Sequence, residues 1–254
     1  MKNTTIHPIK AFSDNYIWCI HDGKNAVVVD PGDAKPVQKY LAANNLTLIA
    51  ILVTHHHPDH IGGIGNLDTN IPVFGPMTEA ISSLTHRLRE GDIVTIEKLA
   101  LQFNILDVPG HTRGHIAYYD DNHLFCGDTL FSCGCGRLFE GTAEQMYRSL
   151  NKLATLPDET LVFCTHEYTE ANIRFALEVE STNDDLLEYA QNVRKARANN
   201  IPSLPSTIEL EKKVNPFLRA NAETVIQAAN AYASRTLASS VDVFSTIREW
   251  KNNF

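Results

Sequence analysis

Val53-Thr54-His55-His56-His57-Pro58-Asp59-His60 is the stretch that decides the fold, since four of its last six residues are histidines. It closes a nearly continuous apolar run, residues 46–54, as expected of a strand buried on both faces. Side chains at i and i+2 of an extended segment point the same way. His55 and His57 can therefore coordinate one metal ion, while His56 points away. Pro58 bends the chain, and Asp59 and His60 then face a neighbouring site.

Three further candidate ligands follow apolar runs, where an α/β scaffold places its active site. They are His111 in Pro109-Gly110-His111-Thr112, Asp128 in Cys126-Gly127-Asp128-Thr129 and His166 in Cys164-Thr165-His166-Glu167. With one ion on His55, His57 and His111, and the other on Asp59, His60 and His166, Asp128 can bridge both. Imidazole nitrogens and carboxylate oxygens suit zinc first, with iron and manganese as alternatives.

A purely structural zinc site is the alternative reading, but such sites are closed and rich in cysteine. The five cysteines are scattered, and the spacing of Cys133 and Cys135 is neither that of a redox motif nor that of a zinc ribbon. We interpret these two cysteines as bystanders. Seven clustered histidine and aspartate ligands instead leave open positions for water, as in a catalytic centre.

Composition limits the partners and the compartment. The 254 residues include 22 basic and 30 acidic side chains, a formal net charge of −8 that argues against a nucleic-acid surface. The N-terminal residues lack the apolar run of a secretory signal, and no stretch approaches the ~20 apolar residues that span a bilayer. An odd number of cysteines fits a reducing compartment. We expect a cytoplasmic monomer that binds a small-molecule substrate, with no nucleic acid and no membrane as partner.

The character of the sequence changes near residue 167. Before it, strand and helix patterns alternate, including a hairpin around Asp22-Gly23-Lys24. After it, helices are predicted at residues 170–180, 184–199, 223–232 and 241–251, with a proline-punctuated connector at 201–215. We therefore predict an α/β domain over residues 1–167 and a small helical domain over residues 168–254.

The metal motifs resemble those of the metallo-β-lactamase superfamily, whose Thr-His-x-His-x-Asp-His signature matches residues 54–60. The motifs around His111, Asp128 and His166 follow in that superfamily's order. The resemblance implies a four-layer αββα sandwich for residues 1–167. It also implies that all seven candidate residues are ligands of two metal ions.

A narrower resemblance, to the glyoxalase II family, covers nearly the whole chain. The stretches that carry it include Asp14-Asn15-Tyr16-Ile17-Trp18, Gly134-Cys135-Gly136-Arg137-Leu138-Phe139-Glu140-Gly141-Thr142 and Asn215-Pro216-Phe217-Leu218-Arg219. It implies a thioester hydrolase that cleaves S-(2-hydroxyacyl)glutathione, typically S-D-lactoylglutathione to D-lactate and glutathione. This reaction is the second step of glutathione-dependent methylglyoxal detoxification, and the helical domain supplies part of the glutathione site.

The same resemblance implies roles for individual residues. Asp59 and Asp128 are the catalytic carboxylates, and Asp59 orients the attacking water. Tyr168 and Arg219 match glutathione-contacting positions. Arg137 stands where eukaryotic members have a lysine, and Phe139 where they have a tyrosine, a pattern typical of the bacterial branch.

Two other functions compete with this one. A persulfide dioxygenase of the same superfamily uses one iron. It should not need both Asp59 and His60 as ligands, and it should not need the helical tail. A non-enzymatic electron-transfer protein would carry a flavin module, which the sequence does not show.

Overall fold

The computed structural model describes residues 4–67 and 70–254. Residues 1–3, which begin the N-terminal stretch considered above for a secretory signal, lie outside the described residues. The chain divides into two units. The first unit comprises the described residues up to Asp107 together with Thr112–Gly127, and the second comprises Val108–His111 and Asp128–Phe254.

The first unit is built on a six-stranded sheet. Its strands are β1 Thr5–Ala11, β2 Asn15–His21, β3 Asn25–Val29, β4 Thr47–Leu52, β5 Val73–Pro76 and β6 His86–Leu88, in that order. The first three strands are antiparallel, and β3 to β6 run parallel. The predicted hairpin is confirmed: Asp22 Oδ1 accepts hydrogen bonds from the backbone N–H groups of Lys24 and Asn25, at 2.9 and 2.7 Å.

One face of this sheet is covered by helix α1, Ala34–Ala43, which Asp33 caps by accepting from the N–H of Lys35. Val37 and Leu41 of α1 pack into an apolar cluster with Val28 and Ile51 of the central strands. The buried strand β4 ends at Leu52, so the start of the histidine run at His55 is held close to a rigid part of the core. A short helix, α2 Pro58–Ile61, follows that run.

A second set of strands in this unit forms an antiparallel meander. Its members are β7 Ile93–Ile96, β8 Leu101–Asp107, β9 Ile116–Tyr119 and β10 His123–Gly127. The Tyr118 hydroxyl of β9 lies 2.9 Å from the carbonyl oxygen of Val53, to which it donates, and 3.3 Å from its N–H. The meander is thereby hydrogen-bonded to Val53, two residues before His55.

The second unit is mainly helical. Its helices are α3 Ala143–Leu153, α4 Thr169–Val179, α5 Asp184–Ala198, α6 Ile208–Val214, α7 Glu223–Ala233 and α8 Ser240–Asn253. Its short strands are β11 Leu130–Phe131, β12 Gly134–Cys135, β13 Leu161–Cys164 and β14 Ser206–Thr207. β11 pairs with β12 and β13 with β14, both antiparallel. The four helices predicted after residue 167 are confirmed.

The predicted connector at residues 201–215 is wrong in its second half, which forms β14 and α6. Thr207 starts this helix, because its hydroxyl accepts from the N–H of Leu210. Ile208 and Val214 are fully buried, so α6 contributes to the core of its unit. The prolines that suggested a loop all precede the helix.

All five cysteines are free and buried. Burial raises the pKa of Cys19 to about 12 and also raises the pKa of Cys133 and of Cys135. Thiols held in their neutral form are poor nucleophiles, which agrees with the bystander interpretation. Within the described part of the chain, no helix combines the length and apolarity needed to cross a membrane.

Candidate metal centre

The histidine run aims two ring nitrogens at one point. Nε2 of His55 lies 3.0 Å from Nδ1 of His57, and Nδ1 of His55 lies 3.0 Å from the Thr54 hydroxyl. His57 keeps extended backbone angles and Pro58 is the first residue of α2, so the i, i+2 alternation holds up to the bend. Ligands about 2.0–2.1 Å from a tetrahedral ion lie about 3.3 Å apart. The pair therefore fits a shared metal ion.

The next two ligand candidates form a second cluster in the same unit. The Asp59 Oδ2 lies 3.5 Å from Nε2 of His60, and the Asn15 amide donates to that oxygen at 3.0 Å. His60 is fully buried, while Asp59 is half-buried. One turn of helix after Pro58 thus turns Asp59 and His60 towards each other, as the sequence predicted.

Asp30 is a residue of this centre that sequence reasoning missed. Its Oδ1 accepts from the N–H of Thr54 at 2.7 Å, and its Oδ2 accepts from the Thr54 hydroxyl at 2.7 Å. The same Oδ2 lies 3.0 Å from Nδ1 of His60. A carboxylate on one ring nitrogen fixes the tautomer of a metal-binding histidine and leaves the other nitrogen for the ion. Asp30, His55 and His60 could themselves hold an ion, since they place ligand atoms within 4.8 Å of one another.

His56 directs its Nδ1 to a carboxylate outside the ligand set, while its ring lies edge-on to that of His57 with centroids 5.1 Å apart. Its Nδ1 lies 3.2 Å from Oε2 of Glu79, a buried carboxylate. Burial raises the pKa of Glu79, and hydrogen bonds from Thr112 and Gly114 together with the nearby His56 oppose that rise. Glu79 belongs to no motif, so no pattern in the sequence pointed to it.

The second unit brings the other three candidates together around one oxygen. Asp128 Oδ2 lies 3.3 Å from Nε2 of His111 and 3.3 Å from Nε2 of His166. All three residues are buried. Nδ1 of His111 lies 2.8 Å from the carbonyl oxygen of Arg137, to which it donates, so its Nε2 is the nitrogen left for an ion. A bridging carboxylate needs this arrangement, with one histidine from each ligand set beside the same oxygen.

Close backbone packing shapes this second cluster. A Cβ on Gly136 would lie 2.0 Å from the carbonyl oxygen of Asp128 and 3.1 Å from Nδ1 of His111. Only glycine leaves room for the loop to pass so close to two ligands.

Three of the four predicted substrate residues lie around this cluster. The Tyr168 ring stacks on His166 with centroids 4.6 Å apart, and Phe139, which is 61% exposed, lies edge-on to His111 at 5.3 Å. Arg137 donates its Nε–H to the Asn252 side chain of α8 at 3.4 Å. The exposed faces of these side chains are available to a ligand.

The fourth predicted substrate residue, Arg219, is engaged within the protein. Its Nε and Nη2 donate to the two carboxylate oxygens of Glu180 at 2.8 and 2.9 Å. These hydrogen bonds raise the pKa of the Arg219 guanidinium. Its substrate role stays a prediction.

Lys251 on α8 is a cation that sequence reasoning missed. It precedes Asn252, the partner of Arg137, and its Nζ lies 3.2 Å from the carbonyl oxygen of Ala171. Burial, reinforced by the nearby Arg248 charge, lowers the pKa of Lys251 to about 8. The helical pattern of the sequence alone does not distinguish a partly buried lysine such as Lys251 from a solvent-exposed one.

Family models match both parts of the chain. Residues 12–166 match the metallo-beta-lactamase superfamily and residues 167–254 match the hydroxyacylglutathione hydrolase C-terminus. Hydroxyacylglutathione hydrolases of Nitrosomonas eutropha and Vibrio campbellii are each 53% identical to the chain, covering 98% of it and 98% and 99% of their own lengths.

Solved structures show the same fold. ETHE1 from Myxococcus xanthus is 26% identical, with a TM-score of 0.66 over 98% of this chain and 91% of its own. A di-iron-bound form of TTHA1623 is 25% identical, with a TM-score of 0.58 over 83% of this chain and 99% of its own.

The fold and the histidine–aspartate clusters define a metal-dependent hydrolase of the metallo-β-lactamase superfamily, with groups of side chains that can hold metal ions. The predicted α/β fold class with a helical C-terminal region is thereby confirmed. Within that superfamily, the chain belongs to the hydroxyacylglutathione hydrolase family, also called glyoxalase II.

Proposed function

We propose that this chain hydrolyses S-(2-hydroxyacyl)glutathione thioesters, S-D-lactoylglutathione among them, to glutathione and the 2-hydroxy acid. The observation that carries the proposal is the position of Asp128 Oδ2, 3.3 Å from both His111 and His166. A carboxylate between two histidines of different ligand sets is what a dinuclear hydrolytic centre requires. The names of the relatives supply the substrate class.

The proposed ligand sets are those of the sequence motifs. His55, His57 and His111 would hold one ion, Asp59, His60 and His166 would hold the other, and Asp128 would serve both. Zinc suits all these donors, and iron and manganese are accepted by the same set. When bound, such ions lower the pKa of a water molecule towards ~7 and polarise a carbonyl group.

The protein groups have distinct tasks in this reaction. Asp59, whose Oδ2 is fixed by the Asn15 amide, orients the attacking water. The leaving group is a thiolate whose parent thiol has a pKa of about 8.5, so a dedicated general acid is dispensable. The breaking C–S bond releases glutathione as its thiolate, and the acyl carbon takes up the water oxygen.

Glutathione carries two carboxylates, and cations of the second unit suit them. Arg137 offers a planar guanidinium that binds carboxylates bidentately. Lys251 is the second cation, and it lies on α8 next to Asn252, the residue that Arg137 contacts. Tyr168 and Phe139 supply aromatic walls. Arg219 is included among the proposed glutathione-binding residues because the stretch Asn215-Pro216-Phe217-Leu218-Arg219 resembles the family. Residues 168–254 then form the glutathione-binding domain of a monomeric, cytoplasmic enzyme.

Turnover of S-D-lactoylglutathione by protein of known metal content tests this function. We expect release of one thiol and one D-lactate per substrate consumed, with a rate that follows metal content and no consumption of oxygen. Oxygen consumption with a glutathione persulfide, without thioester hydrolysis, would support the dioxygenase alternative instead.

A further inference from the structure

Glu79 is a buried carboxylate that the proposed reaction does not use, and its partners lie in two ligand-bearing loops. Its side chain is 3% exposed, and its Oε2 lies 3.2 Å from Nδ1 of His56. The other oxygen, Oε1, accepts from the Thr112 hydroxyl and from the N–H of Gly114, the latter at 3.2 Å. His56 sits between the proposed ligands His55 and His57, and Thr112 directly follows the proposed ligand His111.

The turn that carries Glu79 is itself held in place. The Arg87 guanidinium on β6 donates to the carbonyl oxygens of Glu79 at 3.0 Å and of Ile81 at 3.1 Å. A Cβ on Gly114 would lie 2.4 Å from the Thr78 hydroxyl and 2.6 Å from Cγ of Glu79. The 112–114 loop can approach this turn only because position 114 is glycine.

Three contacts hold the Glu79 carboxyl group. The Thr112 hydroxyl and the Gly114 N–H donate hydrogen bonds to its Oε1, and Nδ1 of His56 lies within ion-pair distance of its Oε2, at 3.2 Å. Burial of a carboxyl group is costly unless neighbouring groups compensate it. These three contacts tie the two loops to one side chain.

We infer that Glu79 is a positioning residue for the first metal ion, the one assigned to His55, His57 and His111. It fixes the backbone between the first two ligands through His56 and the backbone after the third through Thr112 and Gly114. His55, His57 and His111 each directly adjoin a partner of Glu79 in the sequence. The ligands assigned to the other ion, Asp59, His60 and His166, do not. This inference rests on the ligand sets of the proposed function.

The test is a chelator challenge of the metal-loaded enzyme. In Glu79→Gln, the carboxylate is replaced by an amide of similar size, so the ion-pair contact with His56 is lost. In Thr112→Val, only the hydroxyl contact of the other loop is lost. Because outer partners of metal ligands are typically worth 10–100-fold in metal affinity, we expect each variant to release one ion at about tenfold lower chelator concentration. The second ion should be released within about twofold of the unaltered protein.

Cobalt-loaded protein from cobalt-supplemented medium gives a second readout. The ligand-field absorption of one cobalt ion should change in both variants, with the bands of the other unchanged. The double variant should lose less than the sum of the two single losses, because both contacts end on one carboxylate. Glu97→Gln, an exposed acid in the same unit, is the control and should behave as the unaltered protein.

An equal loss of affinity for both ions, or no loss for either, would overturn the inference. A merely structural role would change the affinity for both ions or for neither. If Glu79→Gln does not fold, as judged by circular dichroism, Thr112→Val carries the test. Thioester turnover is measured in the same preparations. If the unaltered protein binds two ions but does not cleave glutathione thioesters, the proposed substrate fails while the role of Glu79 stands.

Discussion

Oδ2 of Asp30 lies 3.0 Å from Nδ1 of His60, so a residue outside every metal motif sets the orientation of a proposed ligand. Asp30→Asn keeps the size of the side chain but can present an N–H where His60 needs an acceptor. We expect affinity for the ion on Asp59, His60 and His166 to fall 10–100-fold. Chelator titration followed by elemental analysis measures it. Unchanged retention of both ions would rule out this role for Asp30.

Asp128 is expected to matter to both ions at once. Asp128→Ala removes the oxygen that lies 3.3 Å from both His111 and His166, so metal content and nearly all activity should be lost together. Elemental analysis and thioester turnover give the two readouts. Asp121→Ala, at an exposed hairpin position, is the control. Retention of two ions in Asp128→Ala would refute the bridging assignment.

Arg219 and Glu180 can be separated experimentally. Arg219→Ala leaves the buried Glu180 carboxylate without its bidentate partner, and we expect a loss of stability on the order of 2 kcal/mol, less than for a fully buried pair. If Arg219 also binds substrate, KM for a glutathione thioester rises in Arg219→Ala.

Glu180→Gln provides the matched comparison, because it weakens the pair but keeps the guanidinium. Urea unfolding and steady-state kinetics on both variants decide between the roles. An equal KM in Arg219→Ala and the unaltered protein would remove Arg219 from the substrate site.

Lys251 predicts a pH-dependent stability. Its pKa of about 8 in the folded protein lies below the roughly 10.4 of an unfolded lysine. Between these values the unfolded chain binds more protons, so the free energy of unfolding rises with pH. Lys251→Met should lack this rise, and Lys98→Met, an exposed control, should keep it. Urea unfolding at pH 7.5 and 9.5 measures it, and identical pH dependence in Lys251→Met would contradict the prediction.

The sequence predicts much of this site because its signals are local. The alternation that pairs His55 with His57, the bend at Pro58 and the helix turn that brings Asp59 to His60 all follow from rules that act over a few residues. The strand before them is recognisable because burial on both faces leaves it almost wholly apolar.

The residues that the sequence did not reveal act over long separations. Asp30 reaches His60 across 30 positions and Glu79 reaches Thr112 across 33, and neither lies in a pattern with a period. Helix α6 was missed for a different reason. Its seven residues closely follow two prolines, Pro202 and Pro205, and its length is too short for the helical period to stand out.

The burial of all five cysteines has a chemical consequence for an enzyme that handles glutathione. Each turnover of the proposed reaction releases a thiol beside the protein, and oxidation would turn that product into a partner for mixed disulfides. A sulfur atom that the solvent cannot reach does not exchange with a disulfide. The enzyme is therefore expected to keep its activity through oxidising episodes in which exposed protein thiols are glutathionylated.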